Sequence, residues 1–363
     1  MAYQYWSYET LHRFCMEAFQ KFGFTEKEAN IIQDVLLTSD LYGIESHGMQ
    51  RMVRYHKCIE KGMIQIDAKP EVVFETPISA VIDAHDAMGQ LVGHQAMEMA
   101  IAKAKTSGVG IVSVRNSNHY GIAGYYTKLA AEQGLIGMCM TNTEAIMVPT
   151  FGRQAMLGTN PIAFAMPADP TPFSFDAATT VVPRGKLEVY VKRGNGLPLG
   201  WALDENGNDS DDADRVLKNI IAKTGGGILP LGGSGEMTSG YKGYGFAMLC
   251  EICTAILSGG TTSNYIYKTP GRSNIAQCFI ALDHGMFGDK KAIEESLSKY
   301  LQEVRDSAKA EGQERIYIHG EKEYEARDGV LTNGVYLNDK TYAEMQMIAE
   351  YTGSTAFLPE YLD

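Results

Sequence analysis

The 363-residue sequence has no apolar run approaching the roughly 18 residues that cross a bilayer as a helix. Its first residues, MAYQYWSYETLHRF, hold neither a basic stretch nor an apolar core, so no secretory signal is expected there. Positive charge is also in deficit: 32 Lys and Arg stand against 44 Asp and Glu, a formal charge of −12. Nucleic acid and anionic membranes both call for a cationic face, so neither is expected as a partner. An anionic ligand must instead be drawn in by a local cluster of cations. Cysteine is sparse. Cys15, Cys58, Cys139, Cys250, Cys253 and Cys278 lie mostly in apolar runs, as reduced core thiols of a cytoplasmic protein do. Cys250 and Cys253 have C-x-x-C spacing, but they sit inside an apolar helical stretch with no second pair to complete a zinc framework, and no metal is expected. The G-x-G-x-x-G fingerprint of a Rossmann dinucleotide site is missing too; Gly240-x-x-Gly243-x-Gly245 has the wrong spacing and no strand leads cleanly into it.

What is present reads as helical ends around an α/β middle. Leu11, Phe14, Cys15, Ala18, Phe19 and Phe22 recur at helical spacing over residues 8–22, with Ser7 as N-cap. Thr25-Glu26-Lys27-Glu28 is a capping box that opens a second helix to about Tyr42, and Gly48 to Lys61 reads as a third. From about Val72 the character changes: VVFE and SAVIDA read as strands, residues 91–106 as helix, and 109–114, 135–141, 162–166 and 276–282 as further strands. Residues 290–310 and 338–352 return to helix, the latter capped by Asn338. The expected division is a mainly helical domain from 1–80 plus 291–363, and an α/β domain over 81–290.

Ser46-His47-Gly48-Met49-Gln50-Arg51 places a proton-transfer group four residues before a fixed cation. Imidazole gives or takes a proton near neutrality at little cost. Guanidinium grips a carboxylate with two parallel hydrogen bonds. On a helix opened at Gly48, His47 and Arg51 would share a face and hold a 2-hydroxy or 2-keto acid. The plain alternative is a helix-capping serine followed by a surface His and Arg. A serine hydrolase is a poor fit, because no G-x-S-x-G elbow surrounds Ser46.

Further motifs follow in order: the run from Gly108 to Gly124, GVGIVSVRNSNHYGIAG, which carries His119 between a strand and a helix start; Gly158-Thr159-Asn160-Pro161; Asp176-Ala177-Ala178-Thr179-Thr180; Pro230-Leu231-Gly232-Gly233; and Gly240-Tyr241-Lys242-Gly243-Tyr244-Gly245. With these six motifs the chain resembles, over nearly its whole length, the type-2 malate/L-lactate dehydrogenase family. That family also includes ureidoglycolate, sulfolactate and diketogulonate oxidoreductases and cyclic imino-acid reductases. One departure stands out: the family's D-M-A-T-S is D-A-A-T-T here.

The resemblance implies a nicotinamide cofactor on an α/β scaffold that is not a Rossmann fold. It implies NAD or NADP, with NAD preferred, and a homodimer with sites between subunits and the helical segments at the interface. It implies His47 as acid/base oriented by Ser46 and Asp176, with His119 as the rival base, and Arg51 with Thr159 as substrate ligands. The glycine-flanked loops are expected to hold the cofactor through Asn118, His119, Tyr120, Gly121, Thr143, Asp176, Ala177, Ala178, Thr179, Leu231, Gly232, Gly233 and Lys242. Malate and oxaloacetate are the expected pair, because Arg54, Arg184, Lys192 and Arg193 offer a second cation for a second carboxylate. Lactate would use an apolar wall instead, with Met49, Met52 and Met147 available. Other rivals are a non-catalytic nucleotide-binding regulator and a metal-dependent hydrolase.

Overall fold

A computed structural model describes residues 4–355, so the outermost parts of the 1–80 and 291–363 segments lie outside the described residues. The N-terminal elements are β1 (Gln4–Trp6), α1 (Tyr8–Lys21), α2 (Glu26–Leu41) and α3 (Met52–Glu60). Ser7 caps α1 by accepting from the Thr10 N–H, and Thr25 with Glu28 completes the capping box of α2. Two single 3₁₀ turns, Glu45–His47 and Met49–Arg51, stand where one helix from Gly48 was expected. The cause lies beneath them. Asp40, at the end of α2, accepts a 2.8 Å hydrogen bond from the Met49 N–H, and a Cβ on Gly48 would lie 2.0 Å from the Asp40 carboxylate. Glycine lets the chain pass over that carboxylate, and the helix begins only beyond Arg51.

The middle of the chain builds β2 (Glu71–Glu75), β3 (Ser79–Asp83), α4 (Gly89–Ser107), β4 (Val109–Ser117), α5 (Ala123–Ala131), β5 (Ile136–Thr141), β6 (Ile162–Met166) and β7 (Phe173–Ala177). Next come α6 (Arg184–Arg193), β8 (Ala202–Leu203), α7 (Ala213–Ala222), β9 (Gly227–Ile228), α8 (Gly240–Glu251) with a π turn over Ile252–Ile256, and β10 (Ile275–Leu282). The chain closes with α9 (Lys290–Asp306), α10 (Glu321–Asn333), β11 (Val335–Leu337) and α11 (Asp339–Thr352), the last capped by Asn338.

Seven strands form the main sheet in the order β2-β3-β4-β10-β5-β6-β7. Only β3 and β4 run parallel; the other neighbours are antiparallel. That order differs from the doubly wound parallel sheet of a Rossmann domain. The sheet also starts at Glu71, earlier than the boundary drawn at 81. Helices α4 and α5 pack on one face through Val92, Ala96, Ala100, Tyr126 and Ala130 against Val112, Val114, Cys139 and Phe279. Cys250 packs with Met140 and Cys278 in a separate cluster. The helices at the two ends of the chain share one core: Phe14, Phe19, Leu36 and Met52 pack with Val335, Met345 and Ile348, and β1 pairs with β11. Each such side chain contributes about 1.5–3 kcal/mol when fully buried; Met49 anchors the 42–51 loop in this core, and Tyr42 and Ile44 pack on the sheet cluster. Among the described residues no helix is long and apolar enough to cross a membrane.

Candidate active site

The 42–51 loop presents His47 to the end of β4. There the chain turns through Asn118 and His119 before α5 begins, and the His47 and His119 rings lie 5.4 Å apart and 24° from parallel. The Ser46 Oγ is 2.9 Å from His47 Nδ1. On the other ring, the Tyr55 hydroxyl is 2.7 Å from His119 Nδ1, and the Gly121 N–H donates to the same nitrogen at 3.4 Å. Arg51 donates through Nε to the Ser46 carbonyl. One turn on, Arg54 donates from a terminal nitrogen to the Tyr267 hydroxyl at 2.7 Å. Neither guanidinium has a carboxylate within 4.0 Å among the described residues.

The electrostatics follow from that arrangement. Burial, then Arg51 and Arg54, lowers the pKa of His47 to about 4. Burial and the same cations hold His119 well below the usual histidine range. Both imidazoles are therefore neutral at pH 7. Burial and then Arg54 lower the Arg51 pKa; Glu188 raises it and Arg184, at the start of α6, lowers it, the two being paired with each other at 3.2 Å. Lys192 and Arg193 are exposed at the far end of α6. Met49, Met52 and Met147 are wholly buried in the core, so the apolar wall expected of them for lactate is not formed.

Several expected site residues have other work. Asp176 accepts from the Gly124 N–H at 2.7 Å, at the N-terminus of α5, and makes no hydrogen bond to His47; Ser46 alone among the expected partners touches that ring. Burial of the carboxyl raises the Asp176 pKa to about 6, although the residue keeps an exposed face. The Asn118 side chain is buried and saturated: it donates to the carbonyls of Met63, Asp86 and Ala87 and accepts from Ser273. The Tyr120 ring is core, stacked 4.8 Å from Tyr126 with its hydroxyl on Cys139. These two side chains point inward and build the turn that carries His119.

The remaining expected cofactor residues do come together. Thr143 Oγ1 accepts from the Thr159 N–H at 2.9 Å, Thr179 donates to the Thr159 and Asn160 carbonyls, and the Leu231 N–H donates to the Thr179 carbonyl at 2.9 Å. Ala177 and Ala178 precede Thr179 on this strip, half-buried. Gly232 and Gly233 have φ of 95° and 83° and lead to the start of α8, where Lys242 is exposed in the first turn. A lysine in the first turn opposes the helix dipole unless an anion joins it, so this end of α8 fits a phosphate. Sequence reasoning missed Tyr55, Tyr267 and Asp40. The first two carry no local signal, whereas an acid at a core position of α2 could have marked Asp40.

A family model described as malate/L-lactate dehydrogenase matches residues 6–346. The malate dehydrogenase of Pyrococcus horikoshii is 42% identical over 346 residues, covering 95% of this chain and 94% of that protein. The L-sulfolactate dehydrogenase of Methanocaldococcus jannaschii is 36% identical over 347 residues, covering 95% and 96%. The crystal structure of malate dehydrogenase from Entamoeba histolytica superposes with a TM-score of 0.93 at 36% identity, covering 97% of this chain and 99% of that one. With histidines, arginines and threonine strip assembled as described, the chain belongs to the malate/L-lactate dehydrogenase family.

Proposed function

We propose that this protein transfers hydride reversibly between NAD or NADP and a small dianionic 2-hydroxy acid, with malate and oxaloacetate the pair that fits best. One observation carries the choice: Arg51 and Arg54 bring two half-buried cations to the paired histidines, and among the described residues no carboxylate lies within 4.0 Å of either. Buried charge is ordinarily paired, and here a substrate with two anionic groups completes the pairing. The relatives named for malate lend weight to that reading. Sulfolactate is the second reading, because a sulfonate would meet the same two cations and a relative is named for it.

Arg51 grips the carboxylate next to the reacting carbon, and Arg54 takes the distal anion. His47, neutral and with Nε2 uncommitted, receives the hydroxyl proton at C2. A bound anion offsets Arg51 and Arg54, two of the causes that hold the His47 pKa down, so the imidazole becomes a better base once substrate is in place. The nicotinamide cofactor, when bound, supplies the acceptor for the C2 hydride. Thr143, Thr179 and Leu231 would hold it, with its phosphates towards Gly232 and Lys242 at the start of α8.

The working form is a homodimer. Tyr241, Phe246, Met248, Leu249, Ile252, Ile256 and Leu257, each 37–59% exposed, form an apolar stripe along α8 and its π turn. Patches of this kind are rarely left open to water on a monomer. This puts weight on the central α/β part, where the terminal helices had been expected to supply the contact. Six unpaired cysteines fit the cytoplasm as its compartment. The test of substrate is a spectrophotometric comparison of oxaloacetate, 3-sulfopyruvate and pyruvate with NADH and NADPH. We expect kcat/KM to be highest for oxaloacetate; a value equal to or below that for pyruvate would sink the dianion reading.

A further inference from the structure

Arg51 and Arg54 are held in different ways. Arg51 is fixed inside its own loop, by the Ser46 carbonyl. Arg54 is fixed from across the molecule, by the hydroxyl of Tyr267, 213 residues away in sequence. Tyr267 has a backbone φ of 60°, a conformation that bulky residues rarely adopt and that persists where surrounding contacts enforce it. Those contacts are present. The Tyr267 N–H donates to the Ser273 carbonyl at 3.4 Å, and the Lys268 N–H to the Tyr265 carbonyl at 3.1 Å. Ser273 Oγ donates to Asn118 Oδ1 at 2.5 Å, and Arg272 pairs with Asp86 at 2.7 Å. Asn118 immediately precedes His119, so the loop bearing Tyr267 is fastened to the segment that carries a site histidine.

The chemistry of the partner matters. A carboxylate holding Arg54 would cancel its charge, as Glu188 does for Arg184. A phenol hydroxyl orients the guanidinium by accepting one N–H and leaves the positive charge available, along with the remaining donors. Resting on the dehydrogenase reading above, we propose that Tyr267 is a positioning residue for substrate choice: it holds Arg54 so that its uncancelled charge meets the distal anionic group of a dianionic 2-keto acid.

The test uses Tyr267→Phe, Arg54→Gln and the double variant of the full chain. Steady-state constants are measured for oxaloacetate and pyruvate, and succinate, a four-carbon dianion that cannot be reduced at C2, is titrated calorimetrically with NADH present. Tyr267→Phe should raise the oxaloacetate KM about 10-fold, the scale of one lost hydrogen bond to a charged group, while kcat moves much less. The preference for oxaloacetate over pyruvate and the affinity for succinate should fall by similar factors. In the double variant, Tyr267→Phe should add nothing to Arg54→Gln, since a positioning residue acts only through the group it positions. Equal losses for both keto acids, additive effects in the double variant, or an unchanged succinate Kd would overturn the proposal. Should Tyr267→Phe fail to fold, Arg54→Lys in the wild-type background serves: unaltered oxaloacetate preference and succinate affinity there count against it equally. A wild-type enzyme that binds succinate but reduces neither keto acid would refute the dehydrogenase reading and leave the succinate titrations to judge Tyr267.

Discussion

The Tyr55 hydroxyl stands 2.7 Å from Nδ1 of His119, and the Gly121 N–H points at the same nitrogen from 3.4 Å. A backbone amide can only donate, so Nδ1 must keep its lone pair, and the neutral ring carries its proton on Nε2. His119 is then a fixed hydrogen-bond donor, suited to polarising a C2 oxygen, while His47 is left to move the proton. Tyr55 is wholly buried and its own pKa is raised, chiefly by burial, so it stays a hydroxyl at any working pH.

Tyr55→Phe should release the tautomer. We expect kcat/KM to fall about 10-fold, in line with one misoriented hydrogen bond in the site. Nitrogen NMR of ring-labelled protein reads the tautomer directly. A wild-type His119 protonated on Nδ1, or a Tyr55→Phe spectrum identical to wild type, would count against this account.

His47→Ala should lower kcat by about 10²–10⁴-fold, the usual scale for a lost acid or base. Arg51→Lys should instead raise KM, because a point charge cannot reproduce a two-pronged grip. His119→Ala should be impaired but retain the pH profile set by His47. If His47→Ala remains nearly fully active and His119→Ala is inert, the two roles are exchanged.

Asp40 links pH to the stability of the fold beneath the site. Burial raises its pKa to about 8, well above the 3.8 of a free carboxyl, and Glu45 adds to the effect. A raised acid favours the folded state while it is protonated. Stability therefore declines as pH rises from about 4 and has lost this contribution above about 8. The hydrogen bond from the Met49 N–H favours the charged carboxylate and offsets part of that burial penalty. Asp40→Asn keeps an acceptor for Met49 and removes the titration. Its melting temperature should change less between pH 6 and 9 than that of wild type. Parallel pH profiles for the two proteins would refute this.

Lys242→Ala tests the cofactor end of the strip. A lost charge-assisted contact to phosphate should weaken cofactor binding about 10-fold or more, with little change in turnover at saturation. An unchanged cofactor Kd by fluorescence titration would remove Lys242 from the site.

Much of this was legible in the sequence where the signal is local. The caps at Ser7, Thr25 and Asn338, the strand over 162–166 and the ends of α2 follow from spacing and side-chain chemistry within a few residues. The broken helix at Gly48 was not, because its cause is Asp40, eight residues back, whose carboxylate occupies the space a regular turn would use. The inward side chains of Asn118 and Tyr120 were not legible for a related reason. They adjoin His119 in sequence, but β4 ends in a turn that sends their side chains inward to Met63, Asp86 and Cys139. Tyr267 reaches Arg54 only through tertiary folding, and no periodicity records a contact of that span.

The last expectation concerns assembly. Met248, Ile252 and Ile256 recur every four residues, with Leu249 50% and Ile256 59% exposed. Burying each against a partner contributes about 1.5–3 kcal/mol, and a twofold axis counts every such contact twice. A carboxylate buried there would cost several kcal/mol to desolvate. Leu249→Glu combined with Ile256→Glu should therefore yield a monomer in sedimentation at micromolar concentration. Both positions point away from the core, so far-UV circular dichroism should match wild type. If the sites lie between subunits, as the family resemblance implies, activity should fall with the dimer and recover in part at high protein concentration. A wild-type enzyme that sediments as an active monomer, or a double variant that remains dimeric, would show that this stripe is not the interface.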